Sequence, residues 1–385
     1  MVLLKAKEIY LEEKVLFNSA IAVENGCITA VDIQQEQSFC GDIIDLGSLK
    51  LLPGFIDIHV HGGNGYDIMD STYEAVNGIS EYKILEGVTA FCPTTVTCDT
   101  EGLKNALECI KQSKDRGVNG ARIIWPFIEG PFINILRKGA HRAEHVNEKP
   151  DGSIYDLIES YGGKLSLLMA PELNGALDII HGLTGKGMNV RIGHSNADFE
   201  TAVEAVENGS NIAVHLFNAM EPVSARSPGI ISAALLNNGI YAEIICDLVH
   251  VHRACLELLL KVKDKDKIIL ITDCMRAGGM SDGEYSLGEE AVTVKNGVAR
   301  TLNGNLAGST LKMIDALKNL NDNFSVEFCD IIKMASLNPA RALGIDRECG
   351  SIAYSKRADL IAVDDNLNVK FVMVDGIVKK SINML

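Results

Sequence analysis

The sequence predicts an α/β protein: a (β/α)8 barrel of the TIM type with a small β-sandwich domain built from both ends of the chain. In its middle part, short apolar segments alternate with stretches of helical periodicity, whereas both ends contain short β-type segments with hairpin turns. A chain of 385 residues with 47% hydrophobic content can bury a core of the size that a barrel needs. We therefore expect the barrel to comprise residues 53–345 and the small domain residues 1–52 and 346–385.

Each end of the chain contains a predicted β-hairpin. Residues 20–31 form two apolar runs joined by Asn25-Gly26, a pair that favours the positive φ angles of a type I′ turn. Near the other end, residues 358–363 predict a strand, and residues 371–378 predict a hairpin that turns at Asp375-Gly376. Because so few strands cannot bury a face alone, we expect both ends to form one small domain.

Eight predicted strands occupy the middle of the chain at intervals of about one strand plus one helix. They are residues 55–61, 88–95, 122–129, 164–172, 189–194, 211–217, 241–247 and 267–273. The intervals have helical periodicity; residues 199–206, for example, carry apolar side chains at i, i+3, i+4 and i+7, with Asp198 as N-cap and Gly209 beyond the end. Eight such units predict a barrel whose active site lies at the carboxyl ends of the strands.

Potential metal ligands fall at these strand ends. They are His59 and His61 on strand one, Glu129 on strand three, His194 on strand five, His215 on strand six and Asp273 on strand eight. His59 and His61 alternate with apolar residues, so a strand would place them, together with Asp57, on one face. Each residue alone is compatible with a cap or a core position. Six of them at one end of one barrel favour a shared metal site.

The ligand set favours zinc or ferrous iron, since magnesium and calcium prefer oxygen donors. A metal with an open coordination position polarises a carbonyl group and lowers the pKa of bound water to roughly 7, which is typical of amide or ester hydrolysis. Asp273 is predicted to accept a proton from that water and return it to the leaving group.

Composition excludes several other functions. A net charge of -15 disfavours a nucleic-acid partner. The ten cysteines include no C-x-x-C pair, which is typical of reduced thiols in the cytoplasm. The first residues contain charge too early for a signal peptide, and no segment approaches the roughly 18 to 20 apolar residues of a membrane span. We therefore expect a soluble cytoplasmic enzyme.

Several motifs resemble those of the amidohydrolase superfamily and, within it, the deacetylases of N-acetylated amino-sugar phosphates. The similar runs are Pro53–Gly62, Glu129–Phe132, Lys138–His141, Gly193–Ala197, His215–Met220, Thr272-Asp273, Leu306–Ser309 and Ser336–Arg341. The resemblance extends over essentially the whole chain. It implies that Glu129, His194 and His215 bind metal, that Asp273 is the catalytic acid and base, and that the substrate is N-acetylglucosamine 6-phosphate.

The same resemblance implies substrate contacts. The matching positions are Ala140, His141, Asn218, Ala219, Arg226, His250, Leu306, Ala307 and Gly308. Residues 140–141 would hold the sugar hydroxyls and residues 306–308 would line the acetyl group. The backbone of residues 218–219 would bind the phosphate, together with Arg226 from a neighbouring subunit of a homodimer. Some relatives have Gln and Asn at the His59 and His61 positions and bind one metal. The resemblance therefore implies one or two metals per subunit, and the two histidines favour two.

Two alternatives stay open, a deacetylase for the galactosamine epimer and a non-catalytic sugar-phosphate-binding relative. Amidohydrolases that bridge their metals with a modified lysine at the end of strand four are disfavoured, because the one lysine of that strand, Lys164, begins it. The chain departs from the family at Leu248, where a glycine is usual after the strand-seven aspartate. We expect this leucine to narrow the pocket.

Overall fold

The computed structural model describes residues 1–34 and 40–381. The amino-terminal strands are β1 (Val2–Tyr10), β2 (Val15–Glu24), β3 (Cys27–Ile33), β4 (Asp42–Asp45) and β5 (Lys50–Pro53). The predicted hairpin at Asn25-Gly26 joins β2 to β3, and both turn residues have positive φ, 51° and 79°. The local sequence therefore specifies this turn correctly.

The next strands build the barrel and a small hairpin beside it. They are β6 (Phe55–Val60), β7 (Gly62–Gly63), β8 (Tyr66–Asp67), β9 (Val88–Thr95), β10 (Arg122–Ile123), β11 (Phe127–Ile128), β12 (Ser166–Met169), β13 (Asn189–Ile192), β14 (Ile212–Ala213), β15 (Tyr241–Ile245) and β16 (Ile268–Ile271). The barrel strands are parallel from β6 through β9 to β16, and a parallel bridge between Val60 and Cys274 connects the last strand to the first. The predicted barrel is thus confirmed as a nearly closed ring.

Two barrel strands differ from their predicted extent. Strand three is divided into β10 and β11, because the chain leaves the ladder at Trp125-Pro126 and proline has no N–H to donate. Strand six keeps ladder pairing only over β14, since His215 already has a left-handed backbone with φ 27°. The apolar runs extend into the loops that carry the polar residues, and so the strands predicted from these runs are longer than the observed ones.

Helices lie between the strands. They are α1 (Tyr73–Leu85), α2 (Thr100–Arg116), α3 (Ser153–Tyr161), α4 (Ala176–Gly185), α5 (Phe199–Glu207), α6 (Gly229–Leu236), α7 (Arg253–Val262), α8 (Met313–Asn323), α9 (Phe328–Ala335) and α10 (Leu337–Leu343). Short 3-10 turns occupy Ile68–Asp70, Ile135–Arg137, Ala143–His145 and Lys265–Lys267. Asp198 caps α5 as predicted, because its side chain accepts a hydrogen bond from the Thr201 N–H. No described helix has the length and apolar character of a membrane span.

A three-stranded antiparallel sheet follows the eighth barrel strand and was not predicted. It consists of β17 (Gly283–Leu287), β18 (Glu290–Lys295) and β19 (Val298–Thr301). The turn between β18 and β19 is Asn296-Gly297, with φ 52° and 72°, the same signal that identified the other hairpins. Val292 and Val294 of this sheet pack in one cluster with Val96 and Met275, which follow barrel strands. This three-stranded sheet therefore packs beside the carboxyl ends of the barrel strands.

The last strands return to the first. They are β20 (Leu360–Val363), β21 (Val369–Val374) and β22 (Ile377–Lys380). Strand β20 pairs with β5, so strands from both ends form one sheet in the order β22-β21-β20-β5-β1-β2-β3, with β4 on β1. Leu360, Phe371 and Met373 on one face of this sheet belong to a second core, whereas Ile361 and Val372 on the other face pack into the barrel core. One sheet built from strands of both chain ends is therefore present; its description as a separate sandwich domain and the boundaries at 52/53 and 345/346 stay predictions.

Candidate metal centre and active site

Glu129 lies at the centre of a buried cluster at the carboxyl ends of the barrel strands. Its Oε1 atom is 3.2 Å from His59 Nε2 and 3.1 Å from His215 Nε2, and its Oε2 atom is 3.1 Å from His61 Nε2. His194 Nε2 lies 3.5 Å from Glu129 Oε1. Five residues that are up to 156 positions apart in sequence thus direct their donor atoms to one point, as barrel geometry predicts.

Asp273 and His141 complete the cluster. Asp273 Oδ1 is 3.2 Å from His61 Nε2 and 3.6 Å from His59 Nε2. His141, which the resemblance assigned to the sugar, has its Nε2 atom 3.6 Å from Glu129 Oε2. The structure therefore brings all six residues of the predicted metal site together and adds a seventh.

The backbone turns sharply at three of these residues. His194, His215 and Asp273 have φ of 46°, 27° and 50°, a left-handed region that side chains other than glycine rarely adopt. Each residue directly follows or closely follows a barrel strand. Such strain concentrates at functional sites, where the surrounding fold holds residues in place. Here it directs three side chains from the strand ends into the cluster.

The hydrogen bonds of the histidine Nδ1 atoms, which point away from Glu129, show that the cluster fits a cation. Nδ1 of His61 donates to the Thr94 carbonyl at 3.2 Å, and Nδ1 of His194 donates to the Arg137 carbonyl at 2.7 Å. Because a carbonyl oxygen only accepts, Nδ1 of each neutral ring carries the proton and the lone pair of Nε2 faces the oxygens of Glu129. Lone pairs that face each other repel, and a positive charge between them, either a proton or a metal ion, removes this repulsion.

The distances match those between ligands of one ion. Donor atoms held about 2.0 to 2.2 Å from a tetrahedral ion lie roughly 3.3 to 3.6 Å from one another. Three sets of side chains place their donor atoms within 4.8 Å of one another: His59, Glu129 and His215; His59, His61 and Asp273; Glu129, His141 and His194. His59 Nε2 is fully buried and has no hydrogen-bond partner. The described residues therefore fit one ion or two neighbouring ions.

Electrostatics in the cluster favour anionic carboxylates and cationic partners. Burial lowers the pKa of His59, but Glu129 and Asp273 outweigh it and raise that pKa well above its ordinary value. The same balance of burial against Asp273 and Glu129 raises the pKa of His61 to about 9. Conversely, burial raises the pKa of Glu129, but His59 and the hydrogen-bonding histidines hold it well below its usual range. The site thus attracts positive charge.

A cavity of about 420 Å³ opens above the cluster. Seven predicted substrate contacts line it: Ala140, His141, Asn218, Ala219, His250, Leu306 and Gly308. The other two do not. Ala307 is fully buried in the cluster around Met275, and Arg226 lies on an exposed loop of this chain. Leu248 is also absent from the lining, so the expected narrowing of the pocket by this residue is not seen.

Several residues of the site were not predicted. Lys138 and Asn305 line the cavity, and Glu243 and Arg191 form a fully buried ion pair at 2.8 Å beneath the histidines. A sequence signal for this pair existed, because each is a lone charged residue within an apolar strand, and charged residues are almost never fully buried without a partner. Asp57 does not join the histidines. Its carboxylate bonds with Thr272 and Lys83, where the register of β6 is irregular.

Lys164 does not reach the metal cluster. Its ammonium group lies 4.4 Å from the centre of the Trp125 ring and donates to the Leu343 carbonyl at 3.4 Å. This position agrees with the expectation that no modified lysine from strand four bridges metals in this protein.

Comparison with known proteins gives three consistent findings. The sequence pattern of the Amidohydrolase family matches residues 51–378. An N-acetylglucosamine-6-phosphate deacetylase from Vibrio furnissii is 39% identical over 355 residues, which cover 92% of this chain and 88% of the relative. An N-acetylgalactosamine-6-phosphate deacetylase from Escherichia coli O157:H7 is 36% identical over 374 residues, which cover 97% of this chain and 98% of the relative.

A solved structure has the same fold over nearly its whole length. An aspartate-to-alanine mutant of N-acetyl-D-glucosamine-6-phosphate deacetylase from Mycobacterium smegmatis, in complex with N-acetyl-D-glucosamine-6-phosphate, has a TM-score of 0.92 and 30% sequence identity. The match covers 99% of both chains. The barrel and the terminal sheet are therefore both part of the shared fold.

Proposed function

The chain belongs to the amidohydrolase family, and from this premise we propose that it hydrolyses N-acetylglucosamine 6-phosphate to glucosamine 6-phosphate and acetate. The observation that carries the proposal is the convergence of imidazoles and two carboxylates beneath a cavity of about 420 Å³. This volume lies in the usual range for small-molecule pockets, roughly 300 to 1,000 Å³.

Glu129 and the four strand-end histidines would hold one or two divalent metal ions, with zinc and iron favoured by the ligand types. A bound ion would supply Lewis-acid polarisation of the acetamide carbonyl and a water of lowered pKa. The two histidines of the His-x-His pair, together with Asp273, support a site for a second ion.

Asp273 would move the proton. Burial raises its pKa, but His59 and His61 outweigh this effect and hold the pKa below its ordinary value, so the group is a carboxylate at neutral pH. It lines the cavity. It would accept a proton from the attacking water as the C–O bond forms, and donate that proton to the amine nitrogen as the C–N bond breaks.

The phosphate would bind to the backbone of Asn218 and Ala219, which line the cavity together with His250. His250 Nδ1 contacts Asp247 Oδ2 at 2.6 Å. Burial lowers the pKa of His250, but this carboxylate outweighs it and raises the pKa above its ordinary value. A protonated His250 would attract a phosphate group, and Arg226 from a second subunit would add a guanidinium.

A second candidate substrate is N-acetylgalactosamine 6-phosphate, because one of the relatives acts on this epimer. Acetate release from both N-acetylated sugars, each with and without the 6-phosphate, tests the proposal after reconstitution with zinc or ferrous ion. We expect turnover of the phosphorylated glucosamine derivative to exceed that of the other three. Metal binding without acetate release from any of them would favour the non-catalytic relative instead.

We also propose a homodimer in the cytoplasm. All ten cysteines are unpaired, and those that lie in the barrel core are fully or largely buried, as expected in a reducing compartment. A homodimer is supported by the exposed position of Arg226, which supplies no charge to the cavity of its own chain.

A further inference from the structure

Glu243 contacts two of the candidate metal ligands from below. Its Oε2 atom lies 3.0 Å from His59 Nδ1, and it accepts a longer hydrogen bond, 3.3 Å, from the backbone N–H of His215. Glu243 is fully buried on strand β15. It therefore connects strand one, strand six and strand seven of the barrel directly beneath the site.

His59 is distinguished from the other histidines by this contact. Backbone carbonyl oxygens accept from Nδ1 of His61 and His194, and Thr97 lies beside Nδ1 of His141. Among the described cluster histidines, His59 is the one whose second nitrogen faces a carboxylate. A carboxylate partner fixes the tautomer and ring orientation and increases the basicity of the ligating nitrogen.

Arg191 holds Glu243 in place. Its Nη1 atom donates to Glu243 Oε1 at 2.8 Å and to the Ile58 carbonyl at 2.9 Å, and its Nη2 atom donates to Ser166 Oγ at 3.1 Å. The guanidinium stacks on the Phe127 ring, 3.9 Å from the ring centre, and is fully buried. With partners on four barrel strands, it leaves the Glu243 carboxylate little freedom to rotate.

We propose that Glu243 is a positioning residue for the metal ion held by His59, and that the Arg191–Glu243 pair sets the affinity of the site for that ion. The proposal rests on the metal dependence in the proposed function. Partners of this kind typically change metal affinity about 10- to 100-fold when removed. In Glu243→Gln, the amide can accept from either His59 or Arg191, but its NH2 group then opposes the other donor.

The test measures metal binding without turnover. Metal-free wild-type protein and Glu243→Gln are titrated with Co²⁺, whose visible absorption reports coordination, and with Zn²⁺ against a chelator. We expect wild type to bind two equivalents. In the variant at least one equivalent should bind about 10- to 100-fold more weakly than in wild type.

Asp359→Asn is the matched control. Asp359 is also a buried carboxylate paired with an arginine, at 3.0 Å to Arg122, but it contacts no cluster residue among the described residues. It should keep wild-type affinity for both equivalents even if its stability falls. Should Glu243→Gln not fold, Arg191→Met/Glu243→Gln removes both charges and should show the same weakened metal binding.

Two further outcomes separate the proposals. Wild-type affinity for both equivalents in a folded Glu243 variant, or equal weakening in Asp359→Asn, overturns the role of Glu243 and leaves the proposed function intact. A wild-type protein that binds no Co²⁺ or Zn²⁺ removes the metal dependence itself, and both proposals fail.

Discussion

Asp273 has two structural roles at the residue scale, because its carboxylate faces the cavity while its backbone joins strand eight to strand one. Its N–H donates to the His59 carbonyl at 2.9 Å, and its own carbonyl accepts from the Ser309 N–H at 2.7 Å. Asp273→Asn preserves these backbone bonds and removes the proton acceptor. We expect kcat to fall by a factor of about 10² or more with substrate affinity largely kept, because the amide oxygen of asparagine can still face a cation but cannot accept the proton. Unchanged turnover would remove Asp273 from the chemistry.

The His-x-His pair determines how many ions the site holds. The double variant His59→Gln/His61→Asn should lose one metal equivalent per chain, because both residues contribute Nε2 to the set that includes Asp273. Elemental analysis of the purified protein measures this directly. His181→Gln is a control on a histidine outside the cluster. Equal metal content in the double variant and wild type would leave a single-ion site.

His250 predicts a pH dependence of substrate binding. Its folded-state pKa is raised above 6.5 because Asp247 outweighs burial, so the protonated form is complete below 6.5 and is lost as pH rises through the raised value. KM for the phosphorylated sugar should therefore rise over that window. In Asp247→Asn the rise should begin at lower pH. The substrate phosphate ionises in the same way in both experiments, so the difference between the two profiles reports His250 alone. Identical profiles would contradict the role of His250 in phosphate binding.

At the element scale, Lys83 links helix α1 to the two strands that close the barrel. Its ammonium group lies 3.2 Å from Asp57 Oδ2, 3.1 Å from Glu86 Oε2 and 3.1 Å from Thr272 Oγ1, and it is fully buried. Asp57 in turn accepts hydrogen bonds from the side chain and the backbone N–H of Thr272, the residue before Asp273. This network fixes the strand end that presents Asp273.

Lys83→Met should lower the free energy of unfolding by about 3 to 5 kcal/mol, because it leaves buried carboxylates without their cation. Lys261→Met is a matched control in helix α7, where the lysine is 71% exposed and paired with Glu257. That change should cost less than about 1 kcal/mol, as for other exposed ion pairs. Urea unfolding of both variants measures the contrast. Equal and small effects would show that the buried network does not stabilise the fold.

At the scale of the whole molecule, the proposed phosphate site needs two chains. Arg226→Ala should raise KM for the phosphorylated sugar far more than for the unphosphorylated one. If Arg226 serves the partner's cavity, a mixed dimer of Arg226→Ala and Asp273→Asn chains contains one site without either change. At low substrate concentration, mixing should therefore restore part of the wild-type activity.

Activity that stays at the average of the two variants after subunit exchange would instead place Arg226 in the cavity of its own chain or outside the site. Subunit exchange can be verified by different affinity tags on the two variants. The same experiment tests the proposed homodimer, since a monomer cannot complement.

The sequence by itself determined the alternation of strands and helices, the hairpins at Asn25-Gly26 and Asp375-Gly376, and the residues that converge on Glu129. These features follow from local periodicity, from turn residues with positive φ and from the rule that barrel strands end at one face. The missed hairpin at Asn296-Gly297 carried the same local signal and was therefore predictable. Only the tertiary structure decided the partners of Asp57, the Arg191–Glu243 pair beneath His59, and the absence of Leu248 and Ala307 from the cavity lining. Each of these depends on which side chains meet across distant strands, and a pattern of residues along one chain contains no measure of that distance.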